Sequence, residues 1–250
     1  MTDEGRAYLE HCRRILAEAR DAEDSLDSLN AEPHGLLRIN APMSFGILHM
    51  GSAIADFMQA HPNIHVELVL NDRLVDLVED GFDMAIRIAR LPDSSLIARR
   101  LAPCRRIVVA SPDYWNRHGR PTHPDQLVDH EALIYDYLAE PGTWSFKGPE
   151  GSFTVNVKGR LRANNGNVML AAARQGLGVD LLPTFFCYDE LARGELEPML
   201  QAFEDDPISV YAVYPHRRHL TSRVRSFVDF LVDRFGERPY WDVDAGFHAR

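Results

Sequence analysis

The sequence predicts an α/β protein of two lobes, and three observations carry that expectation. Short apolar, β-branched runs alternate with amphipathic helical patterns, which implies βαβ crossovers and a mainly parallel sheet. Proline and glycine break the chain between most of these runs. The chain's 250 residues, 45% hydrophobic and 26% charged, are enough to bury one large or two small cores.

Residues 3–30 hold no proline and a single glycine near the start, and are rich in Ala, Leu, Glu, Asp and Arg, so they predict a long helix. Tyr8, Cys12, Ile15, Ala19, Ala22, Leu26 and Leu29 follow at alternating intervals of 4 and 3 residues, the spacing of an a/d seam. Charges fill most other positions, which favours a helix that pairs with a second copy over one packed on its own domain. The segment Asn30-Ala31-Glu32-Pro33-His34-Gly35 then ends the helix.

A second module begins with strand 36–40, followed by helix 45–60 with apolar residues Ile47, Leu48, Ile54, Phe57 and Met58. Strand 64–70, helix 73–80 ending at Gly81 and strand 82–88 continue the alternation. Residues 95–110 read as two strands separated at Pro103. Ser111-Pro112 and His123-Pro124 each open a helical turn, since proline suits the first helical position. Strand 132–137, a hairpin from Trp144 to Arg162 turning at Gly148-Pro149-Glu150-Gly151, and helix 167–175 come next. Strand 178–183 leads to helix 184–192, strand 208–215 and helix 222–235, whose Val224, Phe227, Val228, Leu231 and Phe235 share a face. Residue patterns leave open whether the last strand and helix close the second lobe or cross back to the first. Residues 237–250 read as a loose tail.

The 27 basic against 37 acidic residues give a formal charge of −10, which argues against a chain that grips nucleic acid by itself. Cys12, Cys104 and Cys187 are odd in number and far apart, which suits neither a disulfide framework nor a zinc site. With no signal-peptide pattern and no long apolar stretch, a soluble, cytoplasmic protein is expected. Enzyme signatures such as GxSxG, GxxxxGK[ST], GxGxxG after a strand and HExxH are missing from the sequence. His61 and His65 are separated by Pro62, so they should not share a helical face. No catalytic residue, metal or cofactor is expected.

Two places suggest binding chemistry. Ser44, between the first strand and its helix, could cap that helix at the crevice beyond the strand end, and Asn164-Asn165-Gly166-Asn167 could do the same in the other lobe. If the lobes face each other, both helix N-termini would suit a carboxylate. Arg87, in an otherwise apolar strand, must either bind a ligand carboxylate or form a salt bridge to Asp83, Asp80 or Asp72. Tyr135 and Thr184, at or just past strand ends, could add hydrogen bonds.

Residues 35–50 (GLLRINAPMSFGILHM), 72–115 (DRLVDLVEDGFDMAIRIARLPDSSLIARRLAPCRRIVVASPDYW) and 160–183 (RLRANNGNVMLAAARQGLGVDLLP) closely resemble the effector-binding domain of LysR-type transcriptional regulators. Residues 2–16 resemble that family's linker helix. The resemblance implies a two-lobed, periplasmic-binding-protein-like (type 2) fold, with the strand near 208 returning to the first lobe. It divides the chain into linker helix 1–33, lobe I at 34–110 plus 208–236, lobe II at 111–207 and a flexible tail at 237–250. It places a small-molecule effector, anionic or aromatic, against Ser44, Phe45, Arg87, Tyr135, Asn165 and Thr184. It also implies a homodimer or tetramer, pairing helix 45–60 with a partner's helix 222–235, and DNA binding only through a winged helix-turn-helix that these 250 residues lack. The alternatives are a stand-alone small-molecule-binding protein or a dominant-negative truncated regulator.

Overall fold

The computed structural model describes residues 32–244 apart from 74, 90–95, 138–139 and 216–219, together with residues 2, 4, 5, 8, 11 and 12. Tyr8 and Cys12 are helical, while the seam positions Ile15, Ala19, Ala22, Leu26 and Leu29 lie outside the described residues.

The first sheet contains β1 (Gly35–Ala41), β2 (Ile64–Leu70), β3 (Met84–Ala89), β4 (Leu96–Cys104) and β12 (Ile208–Pro215) in the order β2-β1-β3-β12-β4. β1 runs parallel to β2 and β3, whereas β12 lies antiparallel between β3 and β4. Leu37, Ile39 and Ala41 of β1 join the core under two helices. One is α1, helical without a break through Met43–Phe45, a π-helical turn at Gly46–Met50 and Gly51–Ala60. The other is α5 (Ser222–Phe235), which buries Val224, Phe227, Val228, Leu231 and Phe235. Each such side chain contributes about 1.5–3 kcal/mol when fully buried, so this face fixes the helix more firmly than propensity does.

In the second lobe, β5 (Arg106–Ala110) pairs antiparallel with β10 (Asp180–Pro183) and β11 (Glu197–Met199). β6 (Glu131–Tyr135) pairs parallel with β9 (Lys158–Ala163), and a bridge from Ala132 to Val179 joins the two groups. Between β5 and β6 stand α2 (Pro112–His118) and a 3-10 helix at Pro124–Asp129; β7 (Thr143–Gly148) and β8 (Gly151–Asn156) form a hairpin. α3 (Gly166–Arg174) and α4 (Thr184–Ala192) cover the sheet, with Met169, Ala173 and Cys187 in the core.

Several expectations are corrected. The sheets are mixed rather than mainly parallel, because β12 and the β5 group run antiparallel. The described residues of 73–80 form turns, not a helix: Asp76 Oδ1 accepts the backbone N–H groups of Val78 and Glu79, the local alternative that disfavours helix. β4 continues through Pro103, which an edge strand tolerates. β5 belongs to the second sheet, so the change of lobe falls beside Arg105 rather than after residue 110. The hairpin ends at Asn156, and β9 pairs elsewhere. Part of the supposed tail is folded: α6 (Tyr240–Asp244) buries Trp241 completely. No described helix is long and apolar enough to cross a membrane.

Candidate functional site

Parallel strands deliver their following loops to one edge of the sheet, and in this fold class that edge is where a crevice opens. β1 ends at Ala41 and α1 starts almost at once, with Pro42 in the cap position. Proline has no side-chain acceptor, and Ser44 stands inside the first turn, so Ser44 does not cap the helix as expected. Asp72, from the loop after the neighbouring parallel strand β2, accepts the Met43 N–H at 2.8 Å instead. That loop is shaped by Asn71, whose N–H donates to the Ala41 carbonyl and whose Oδ1 accepts from the Arg73 N–H.

Across the crevice the capping expectation holds. Asn165 Oδ1 accepts from the N–H groups of Asn167 and Val168 at 3.0 and 3.3 Å, ahead of α3. Gly166 follows because a Cβ there would come within 2.1 Å of the Phe186 ring. The free amide of Asn165 points across at Met43, with Nδ2 to Sδ at 3.6 Å.

β6 ends at Tyr135, and Tyr137 stands in the turn that follows, the two rings set edge to face with centroids 6.0 Å apart. Tyr137 accepts a hydrogen bond from Asn164 Nδ2 at 3.2 Å. That bond, with a second from Arg73, holds its phenol below the usual range. Burial pushes the Tyr135 phenol up to about 12, and the Asp72 charge adds to the shift. Lobe I therefore presents Met43, Asp72 and Arg73 to Tyr135, Tyr137, Asn164 and Asn165 of lobe II.

The other predicted residues stand back from this opening. Arg87 forms none of the three salt bridges considered. Its guanidinium donates to Asn40 Oδ1 at 2.8 Å and to the carbonyls of Ile86 and Val75, which ties the 71–81 loop to β1 and β3. Burial lowers its pKa, yet a guanidinium stays cationic at neutral pH. Phe45 is a core residue, its ring set edge-on to Phe185, Phe235 and Trp241. Thr184 is fully buried where the chain changes lobe: its N–H donates to the Arg105 carbonyl at 2.9 Å, and its side chain faces Asp242 of α6.

Sequence reasoning missed Asp72 as a cap, Arg73 and Tyr137. Listing the polar residues that follow each parallel strand would have found the first two. His49 was missed as well. It sits in the π turn of α1, and its Nε2 lies 3.1 Å from the Phe185 carbonyl while Nδ1 meets the Tyr240 hydroxyl. A carbonyl only accepts, so Nε2 carries the proton and Nδ1 accepts from Tyr240. One neutral imidazole thus joins α1, α4 and α6. A separate open depression of about 340 Å³ on lobe II is lined by His130, Glu131, Lys158 and Arg160, among others, and mixes both signs of charge.

Comparison with known proteins gives this architecture a context. Residues 30–236 match the LysR substrate binding domain. The chain is 34% identical over 240 residues to the HTH-type transcriptional regulator PtxR of Pseudomonas aeruginosa, covering 96% of this chain and 77% of that protein. It is 32% identical over 238 residues to the HTH-type transcriptional activator AaeR of Escherichia coli, covering 95% and 77%. Among solved structures, the regulatory domain of CrgA, a LysR-type regulator from Neisseria meningitidis, superposes with a TM-score of 0.73 at 29% identity, covering 82% of this chain and all of that one. The full-length Vibrio cholerae virulence activator AphB gives 0.74 at 29% identity, covering 93% and 80%.

Proposed function

The chain belongs to the LysR-type transcriptional regulators and carries their substrate-binding domain, and from that premise we propose that a small molecule is held between its lobes by Ser44 and the 71–73 loop on one side and Tyr135 and Asn165 on the other. The observation that carries this reading is the approach of Asn165 to Met43 across the crevice. It puts a polar, part-aromatic lining at the strand ends, where such folds take ligands. Arg87 acts one step back, by holding the loop that bears Asp72 and Arg73.

Such regulators sense an effector and change transcription, and here the change would be a population shift in closure angle. Phe45 and Thr184 suit that role better than direct contact, since they are buried where α1, α4 and α6 meet. An effector with equal affinity for both angles would transmit nothing. The working unit is a homodimer, open to further pairing into a tetramer. In it, α1 and α5 meet their counterparts in a second copy; Ile47, Leu48 and Met58 of α1 are exposed and available for that contact. The linker helices pair beside them, DNA contact falls to a helix-turn-helix of the complete regulator, and the site of action is the cytoplasm, which the three free cysteines suit.

A thermal-shift screen of small metabolites tests the assignment. A hit should lose about 1–3 kcal/mol of binding in Asn165→Ala and Tyr135→Ala, the cost of unmade buried hydrogen bonds, and bind His130→Ala unchanged. A hit that binds both cleft variants at native affinity would refute it.

A further inference from the structure

The sequence alone points to an anion at both helix ends, but lobe I already supplies one. α1 is helical from Met43 to Ala60 without a break, and its first free N–H is taken by Asp72 Oδ1 at 2.8 Å. The partial positive charge of that helix end is therefore balanced by a tethered carboxylate. Beside it, Ser44 stands in the first turn and is only 4% exposed. Facing these groups are Tyr135, whose phenol is held neutral by burial and by Asp72, and the exposed ring of Tyr137. Of the nearby cations, Arg73 bonds to Tyr137 within the cleft, while Arg87 turns to Asn40 and the carbonyls of Ile86 and Val75.

Resting on the cleft reading above, we infer that Asp72 occupies the anion seat of α1, so that the lobe I side takes an alcohol, phenol or ammonium group with Asp72 as acceptor and Ser44 as a second partner, and turns carboxylates away. An incoming carboxylate would have to displace Asp72 from the Met43 N–H and then share the pocket with a like charge. A donor group keeps the cap intact and adds a charge-assisted hydrogen bond.

Benzylammonium and benzoate are the probes, followed through the backbone amide NMR signals of Met43 and Ser44 in the native chain, Asp72→Asn and Asp72→Ala. Asparagine keeps an acceptor for the Met43 N–H without the charge, and alanine vacates the seat. Benzylammonium is expected to shift both amides in the native chain and to bind about tenfold more weakly to Asp72→Asn; benzoate should bind the two variants at least about tenfold better than the native chain. Native binding of benzoate at these amides as tight as in the variants would overturn the role of Asp72 and leave the cleft reading standing. So would benzoate that perturbs them in no variant, or benzylammonium that leaves them unmoved in the native chain. Shifts by both probes confined to the amides around His130 and Glu131 would overturn the cleft reading together with this proposal.

Discussion

At residue scale the chain buries two titratable groups whose pH effects oppose each other. Burial pushes His49 down to about 4, so the folded protein keeps it neutral while the unfolded chain takes a proton below about 6.5. The stability it supports is complete above pH 6.5 and is lost as pH falls toward 4, by up to about 3 kcal/mol. Asp180 is fully buried on β10; its Oδ1 accepts the Leu181 N–H and its Oδ2 has no partner. Burial pushes this carboxyl up to about 7. The folded state then holds a proton that the unfolded chain releases above about 4, so this contribution declines as pH rises from 4 to 7. Denaturation from pH 4 to 7.5 should show His49→Phe gaining on the native protein as pH falls. Asp180→Asn should gain as pH rises, by about 1–3 kcal/mol near neutrality. A difference curve flat with pH would contradict the assignment for that residue. The Asn165 cap was legible because capping involves neighbours in sequence. The environment of His49 was not, because its partners Phe185 and Tyr240 lie 136 and 191 residues away.

At element scale, α6 departs most from the sequence reading. Trp241 fills a space bounded by Phe45, His49, Phe185 and Phe235. Five residues with little periodicity carry no helical signal, and their order comes from that packing. Trp241→Ala should cost about 3–5 kcal/mol in equilibrium unfolding. A loose tail would lose less than about 0.5 kcal/mol. The α1 and α5 patterns were readable because each buries a continuous face at helical period. The turns at 73–80 were not, because the competing hydrogen bonds of Asp76 do not register in an apolar pattern.

For the whole molecule, the testable quantity is association. Sedimentation should give a homodimer for the native chain, with Ile47→Glu, at a residue 58% exposed on α1, shifting it toward monomer by at least about tenfold in Kd. An unchanged mass would remove α1 from the interface. Cys104 and Cys187 are buried with thiols raised far above their usual value. Alkylation of the folded protein should therefore spare both until it unfolds.

The sequence by itself determined the class of fold, most strands and helices, the Asn165 cap and the family resemblance, because these rest on local periodicity, capping and motif order. Tertiary structure decided where β5 and β12 pair, that Asp72 rather than Ser44 completes the start of α1, that Arg87 braces a loop, and that Phe45 and Thr184 are buried at the lobe crossing. Each of these depends on groups far apart in sequence that meet only when the sheets form. Burial and these long-range contacts then set which polar groups are paired, and at the start of α1 they place Asp72 on the Met43 N–H.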